Sequence, residues 1–232
     1  MRTETYNDGS SRTIVQRADG TQVVTVRDAT GRVLRRAQYD RLGRELVLLN
    51  EFAPETPVNV ADLPPARVIG STRSEDAALR AAIAARQIEK LGRGFSLRQI
   101  RDIPEVRALA AEVDVDGVTF ASGSAAISTE VANALADLGE VMQNMLVKNP
   151  AEMFLIEGHT DATGAAAMNL ALSDRRAESV ALALSEYFDI PPENMIVQGY
   201  GETELRIDTQ ASEAQNRRVA VRVITPLLRP AI

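Results

Sequence analysis

The seven residues GHTDATG, Gly158 to Gly164, hold the chain's single histidine, an aspartate and two threonines between two glycines, directly after the apolar run MFLI. Successive residues of an extended segment point to opposite sides, so Glu157, His159 and Asp161 share one face if the strand continues that far. Two carboxylates and an imidazole suit zinc or manganese, which makes a metal-dependent hydrolytic site one reading of the stretch. Against it, there is no second histidine and no cysteine, and Gly158 marks the end of the strand. General acid–base work by His159 needs a nucleophile and an orienting partner, and Thr160 and Thr163 lie in no nucleophile motif. A turn histidine bonded to neighbouring backbone is the plainer reading, and no metal or other cofactor is expected.

Asp161 says more when it is taken with the helix that follows. Asn169 and Arg176 are two helical turns apart, so they share a side of that helix and can converge with the loop. An aspartate that receives an ammonium and an arginine that clasps a carboxylate with both arms of its fork form a receptor for an amino-acid zwitterion. Such a receptor breaks no covalent bond. Spacing alone leaves a second reading open, in which Asp161 bonds its own turn and Arg176 pairs with Asp174 or Glu178 on a solvated face.

These residues have to be held by their elements. MFLIEG reads as a buried strand and NLALSDRRAESVALALSEYF as an amphipathic helix. MIVQGYG and NRRVAVRVI supply two more strands, the last alternating Val219, Val221 and Val223 with polar or small residues. Ahead of them, VDVDGVTFASG reads as a strand with its exit loop. Ser128 then opens a helix whose Val131, Leu135, Leu138, Met142 and Met145 form one core-facing stripe. A sheet with helices on one face follows.

Upstream the texture changes. Four apolar-rich segments, TIVQR, TQVVTVRD, RVLRRAQYD and RELVLLN, are separated by turns at Gly20, Gly31 and Gly43, a β-meander of loosely similar units. Its arginines Arg32, Arg35, Arg36, Arg41 and Arg44 form either a basic face for lipid or polymer or a charge-protected sheet edge. Residues 53–72, rich in proline, read as a linker. Thr72 with Glu75 caps a helix ended by Gly92, Ser96 with Gln99 caps a second, and Asp102 with Glu105 and Pro104 starts a third through VRALAAE.

Composition sets the outer bounds. The 232 residues suffice for one large domain or two smaller ones, and the absence of cysteine removes thiol chemistry and cysteine metal sites. A net charge of −6 disfavours a non-specific nucleic-acid partner. No segment reaches the roughly 18 apolar residues of a membrane-spanning helix, and MRTETYNDGSSR has no apolar leader region.

GHTDATGAAAMNLALSDRRAESV, then QGYGE and NRRV, resembles the C-terminal peptidoglycan-binding domain shared by outer-membrane protein A, the peptidoglycan-associated lipoprotein and the flagellar stator protein MotB. The resemblance spans roughly Val113 to Ile224 with its parts in the family's order. It implies an α+β fold with a mixed sheet packed on helices, and binding of the diaminopimelate residue of peptidoglycan stem peptides. Asp161 and Arg176 match the acid and the arginine that hold the zwitterionic end, Thr163 and Asn169 match supporting positions, and the backbone around Phe120 and Ala121 matches the opposite wall. Ala121 stands where many members have an aspartate. TELRIDTQASEAQ replaces the usual loop after GYGE, and Arg217 and Arg218 of NRRV read as ion-pair partners outside the site.

The expected organisation is therefore a small β-meander domain at 1–52, a linker at 53–72, linker helices at 73–112 and an OmpA-like domain at 113–232. The expected function is a non-enzymatic cell-wall anchor facing the periplasm, with its export signal absent from this chain and a further envelope protein docking on the amino-terminal β region. Two alternatives stand beside it: a metal-dependent cell-wall hydrolase using Glu157, His159 and Asp161, and a protein-interaction module on the same fold that has lost its ligand.

Overall fold

A computed structural model describes residues 1–64, 88, 91–114, 120, 123–127 and 129–229. The amino-terminal strands β1 (Arg2–Thr5), β2 (Ser11–Gln16), β3 (Gln22–Arg27), β4 (Val33–Tyr39) and β5 (Glu45–Asn50) form an antiparallel meander in sequence order. One hairpin more than expected is present, because β1 pairs with β2 across a turn at Gly9. All four turns share one backbone form, in which a glycine N–H bonds the carbonyl three residues back, with an aspartate just before the glycine in the first two and at the start of the turn in the last two. An aspartate (Asp8, Asp19, Asp28 or Asp40) accepts the backbone N–H two residues on. A glycine of φ +75 to +86° then closes the loop, a conformation that costs a residue without a Cβ almost nothing.

Ser96 caps helix α1 (Leu97–Asp102) through a reciprocal box with Gln99, as its sequence predicts. Asp102 does not cap the next helix. It ends α1, and Ile103 is the N-cap of the single turn α2 (Pro104–Arg107), after which Glu112 enters strand β6 (Glu112–Asp114) rather than extending a helix. The helix expected from Thr72 and the cap expected at Ser128 lie outside the described residues.

The second sheet takes the order β6-β9-β7-β8, from β7 (Phe154–Gly158), β8 (Met195–Gly199) and β9 (Val219–Val223). β7 runs parallel to β8 and antiparallel to β9. Helices α3 (Thr129–Lys148) and α4 (Ala166–Phe188) pack on one face, where Phe154, Ile156, Val219 and Val221 meet Leu135, Met142, Val180 and Leu184. The opposite face is covered too, contrary to the one-sided expectation. Met153, Leu155, Ile196 and Ile224 bury against Phe95, Ile100 and Val106, and against Leu48 and Leu49 of the meander. FLIEG is buried at every position, its apolar residues on both faces of the sheet and Glu157 through its ion pairs with Arg107 and Arg222.

Two glycines set how closely α4 approaches the sheet. A Cβ on Gly158 would stand 2.0 Å from the Ser173 carbonyl oxygen, and one on Gly199 would stand 2.4 Å from the Asp174 nitrogen. The ends of β7 and β8 are thereby pressed against the middle of α4, and the GHTDATG loop emerges beside that helix.

Candidate functional site

Beyond Gly158 the chain stays extended for two residues. The backbone N–H of His159 donates to the Arg218 carbonyl at 2.9 Å and that of Thr160 to the Gly201 carbonyl at 2.8 Å. Asp161 then turns the chain. Its Oδ1 accepts the Thr163 hydroxyl at 2.5 Å and the Thr163 N–H at 3.3 Å. Its Oδ2 accepts from Arg217 Nη1 at 2.8 Å, from the Ser212 hydroxyl at 3.1 Å and from the Glu213 N–H at 3.3 Å. Burial pushes this carboxyl upward, but the donors from Thr163, Arg217 and Ser212 outweigh it and hold it at about 2. Asp161 is an anion at neutral pH although only 5% of its surface is exposed.

Asn169 is the brace of the loop. Its side-chain amide donates to the Asp161 and Thr163 carbonyls at 3.3 and 3.1 Å and to the Glu202 carboxylate at 2.6 Å. Two turns along α4, Arg176 is fully buried, donates Nε to the Ser124 carbonyl at 2.9 Å, and lies 5.0 Å over the Phe120 ring. Burial disfavours its charge, the like charge of Arg217 adds to that, and Asp161 opposes both. Arg176 is therefore on no solvated face of the kind that pairing with Asp174 or Glu178 would need, and the Asp161 charge acts on it.

Asp161, Thr163 and Asn169 are joined by direct hydrogen bonds, and Arg176 and Phe120 by ring stacking. Ala121 lies outside the described residues. Arg217 is the contact that sequence reasoning left aside. Its reach to Asp161 spans 56 residues, and of the two adjacent arginines Arg218 turns instead to Glu112 at 3.3 Å. Ser212 also comes from the replaced loop after GYGE, and no local signal marks it.

The metal reading asks Glu157, His159 and Asp161 to meet, and they do not. Glu157 is held by Arg107 at 3.0 Å and Arg222 at 2.8 Å, so a cation there would face two guanidinium groups. The His159 ring is fully buried and stacks on Tyr200 at 5.6 Å, with no hydrogen-bond partner for either nitrogen among the described residues. It is thus no turn histidine bonded to its neighbours. Burial and the charges of Arg218, Arg222 and Arg107 hold it neutral, well below the usual imidazole range.

A family model described as OmpA family matches residues 119–219. The chain is 44% identical over 68 residues to the outer-membrane lipoprotein YfiB of Pseudomonas aeruginosa, covering 28% of this chain and 40% of that protein. It is 33% identical over 114 residues to the probable lipoprotein YiaD of Escherichia coli, covering 48% and 49%. The chain thus spans half or less of the length of these curated relatives. Among solved structures, the peptidoglycan-associated lipoprotein from Burkholderia pseudomallei is 29% identical, with 53% of this chain and 97% of that one covered at a TM-score of 0.38. The type VI secretion cell-wall anchor from Pseudomonas aeruginosa is also 29% identical, with 48% and 78% covered at a TM-score of 0.39.

Proposed function

We propose, from the OmpA family domain that this chain carries at residues 119–219, that the protein binds peptidoglycan non-covalently and anchors an envelope component to the cell wall. The ligand is the diaminopimelate residue of a stem peptide. Its ammonium meets the Asp161 carboxylate, competing with Arg217 for Oδ2, and its carboxylate meets the Arg176 guanidinium. Thr163 and Asn169 hold the Asp161 turn in shape, Phe120 supports the flat face of Arg176, and the backbone at Ala121 forms the opposite wall. The scheme breaks no bond, so the role is binding and not catalysis, and it operates at the periplasmic side of the outer envelope.

One observation supports the reading: Asp161 and Arg176, both buried and of opposite charge, fall within the span that the OmpA family model matches, and the Asp161 charge acts on Arg176. An ammonium and a carboxylate on a single carbon need that polarity and little else. The direct test is sedimentation of the full chain with purified sacculi of the diaminopimelate type and of the lysine type. Lysine keeps the side-chain ammonium and lacks the second carboxylate. Pelleting with the first and weak pelleting with the second is expected. Equal pelleting with both would remove the diaminopimelate assignment, and pelleting with neither would leave the fold with another ligand.

A further inference from the structure

A cleft of about 550 Å³ separates the meander from α1 and β8, and none of its lining residues belongs to the site around Asp161. Five arginines line it, Arg27, Arg32, Arg36, Arg98 and Arg101, against two acids, Glu51 and Asp102. In a chain of net charge −6, that is a local reversal of sign. Arg32 and Arg98 are neutralised within the chain by Asp28 and Glu55.

The other three donate only to neutral oxygens among the described residues. Arg27 Nη1 reaches the Gly31 carbonyl at 2.9 Å, Arg36 Nη1 the Glu193 carbonyl at 2.9 Å, and Arg101 Nε the Gln198 side-chain oxygen at 2.7 Å. The Glu193 carboxylate itself is bonded to Arg17. Burial and the like charge of Arg27 disfavour the positive charge of Arg36, and the Glu193 carboxylate offsets them only in part. An external anion would relieve that.

The floor is of a different kind. Val197, partly exposed, and the edges of the buried Leu97, Met195 and Ile196 make it apolar, and β8 is the terminal strand of its sheet, hydrogen-bonded to β7 alone among the described strands. A lone phosphate would engage one or two guanidinium groups and leave this floor uncovered, and a flat lipid surface does not enter a cleft. An extended chain with alternating carboxylate and aliphatic side chains satisfies both parts.

We propose that this cleft is a second binding site, which takes an extended acidic peptide segment of a partner protein along β8. Its carboxylates lie on Arg27, Arg36 and Arg101, and its aliphatic side chains on Ile196 and Val197. Five residues of β8 offer a track of about 17 Å at roughly 3.3 Å per residue. The two sites then face different ligands, one the wall and one a protein, and fail independently.

The test is fluorescence anisotropy of the full chain with labelled Glu-Val-Glu-Val-Glu-Val, with Lys-Val-Lys-Val-Lys-Val as control. Saturable binding of the acidic peptide only is expected. The double variant Arg27→Gln/Arg101→Gln should weaken it by about tenfold or more, while sedimentation with sacculi stays unchanged and the circular dichroism spectrum confirms folding. Equal binding of both peptides, no binding, or acidic-peptide binding indifferent to the double variant overturns the proposal. Full displacement by millimolar inorganic phosphate would make the cleft a simple anion site. Flotation with phosphatidylglycerol vesicles that is lost in the variant would make it a lipid site.

Discussion

At the scale of single residues, the weight rests on Asp161, Arg176 and His159. Asp161→Asn keeps the turn donors in place but loses the anion, and Arg176→Lys keeps charge but loses the planar fork stacked on Phe120. Each should cost about 1.5–3 kcal/mol of ligand binding, roughly ten- to over a hundred-fold. Calorimetry with diaminopimelate stem peptides measures this, and unchanged affinity in folded variants would reduce the loop to a structural turn. His159 makes a separate prediction. Its folded-state proton affinity is depressed by burial, so below about pH 6.5 the unfolded chain binds a proton that the folded chain refuses. Stability should therefore fall as pH drops through that value, by at most about 1.4 kcal/mol per pH unit. Urea titrations at successive pH values should show this slope, and His159→Phe, which keeps a ring beside Tyr200, should flatten it.

Between elements, contact is set by two glycines and one buried ionic net. Gly158→Ala would drive a Cβ into the Ser173 carbonyl, and overpacking of this kind costs about 1–3 kcal/mol or more. Because the strain falls where β7 meets α4, the same change should lower both the denaturation midpoint and ligand affinity. Loss of stability with affinity retained would uncouple that packing from the loop. The ionic net ties β7, β9, β6 and α2 through Glu157, Arg222, Glu112 and Arg107. Removing one partner of a buried pair costs about 3–5 kcal/mol because the other charge is left in low dielectric. Glu157→Gln should fall near the lower end of that range, since Glu112 and Glu204 still face Arg222 and Arg107. Denaturant unfolding measures it, and a near-neutral effect would show that the arginines find water.

For the whole molecule, the meander and the mixed sheet bury one apolar cluster in common, through Leu48, Leu49, Ile100, Leu155 and Ile196. The strap after β5 is held as well. Arg93 donates to the Thr56 and Pro57 carbonyls, and Arg229 to those of Ala53 and Pro54. We keep as a proposal the division at 53–72, with wall binding carried by 113–232. A protease cut in that segment should yield two pieces that co-elute under native conditions, because the shared apolar surface still favours their contact. The carboxy-terminal piece should separate on mild denaturation and, once refolded alone, still pellet with sacculi at reduced stability. A folded piece that no longer pellets would make the meander part of the receptor.

Much of this molecule is local, and what is local was readable. The turns at Gly20, Gly31 and Gly43, the Ser96 box, the buried strand MFLIEG and the stripe through Leu135 and Met142 depend on contacts within a few residues and on one period of side-chain direction. The Asp161 turn, bonded to Thr163 two residues on, belongs to the same class. Contacts between distant segments were not readable. Asp102 carries the residue type of a cap, yet α1 runs through it because Ile100 and Val106 bury together and Ile103 takes the turn between them. Neither does the order of residues say which of two adjacent arginines reaches Asp161. That choice follows from the placement of the loop between Gly201 and β9, which brings Arg217 to Asp161 and Arg218 to Glu112. The second covered face of the sheet and the arginine cleft arise in the same way, because each needs segments more than a hundred residues apart to share one surface, and only the folded chain brings them together.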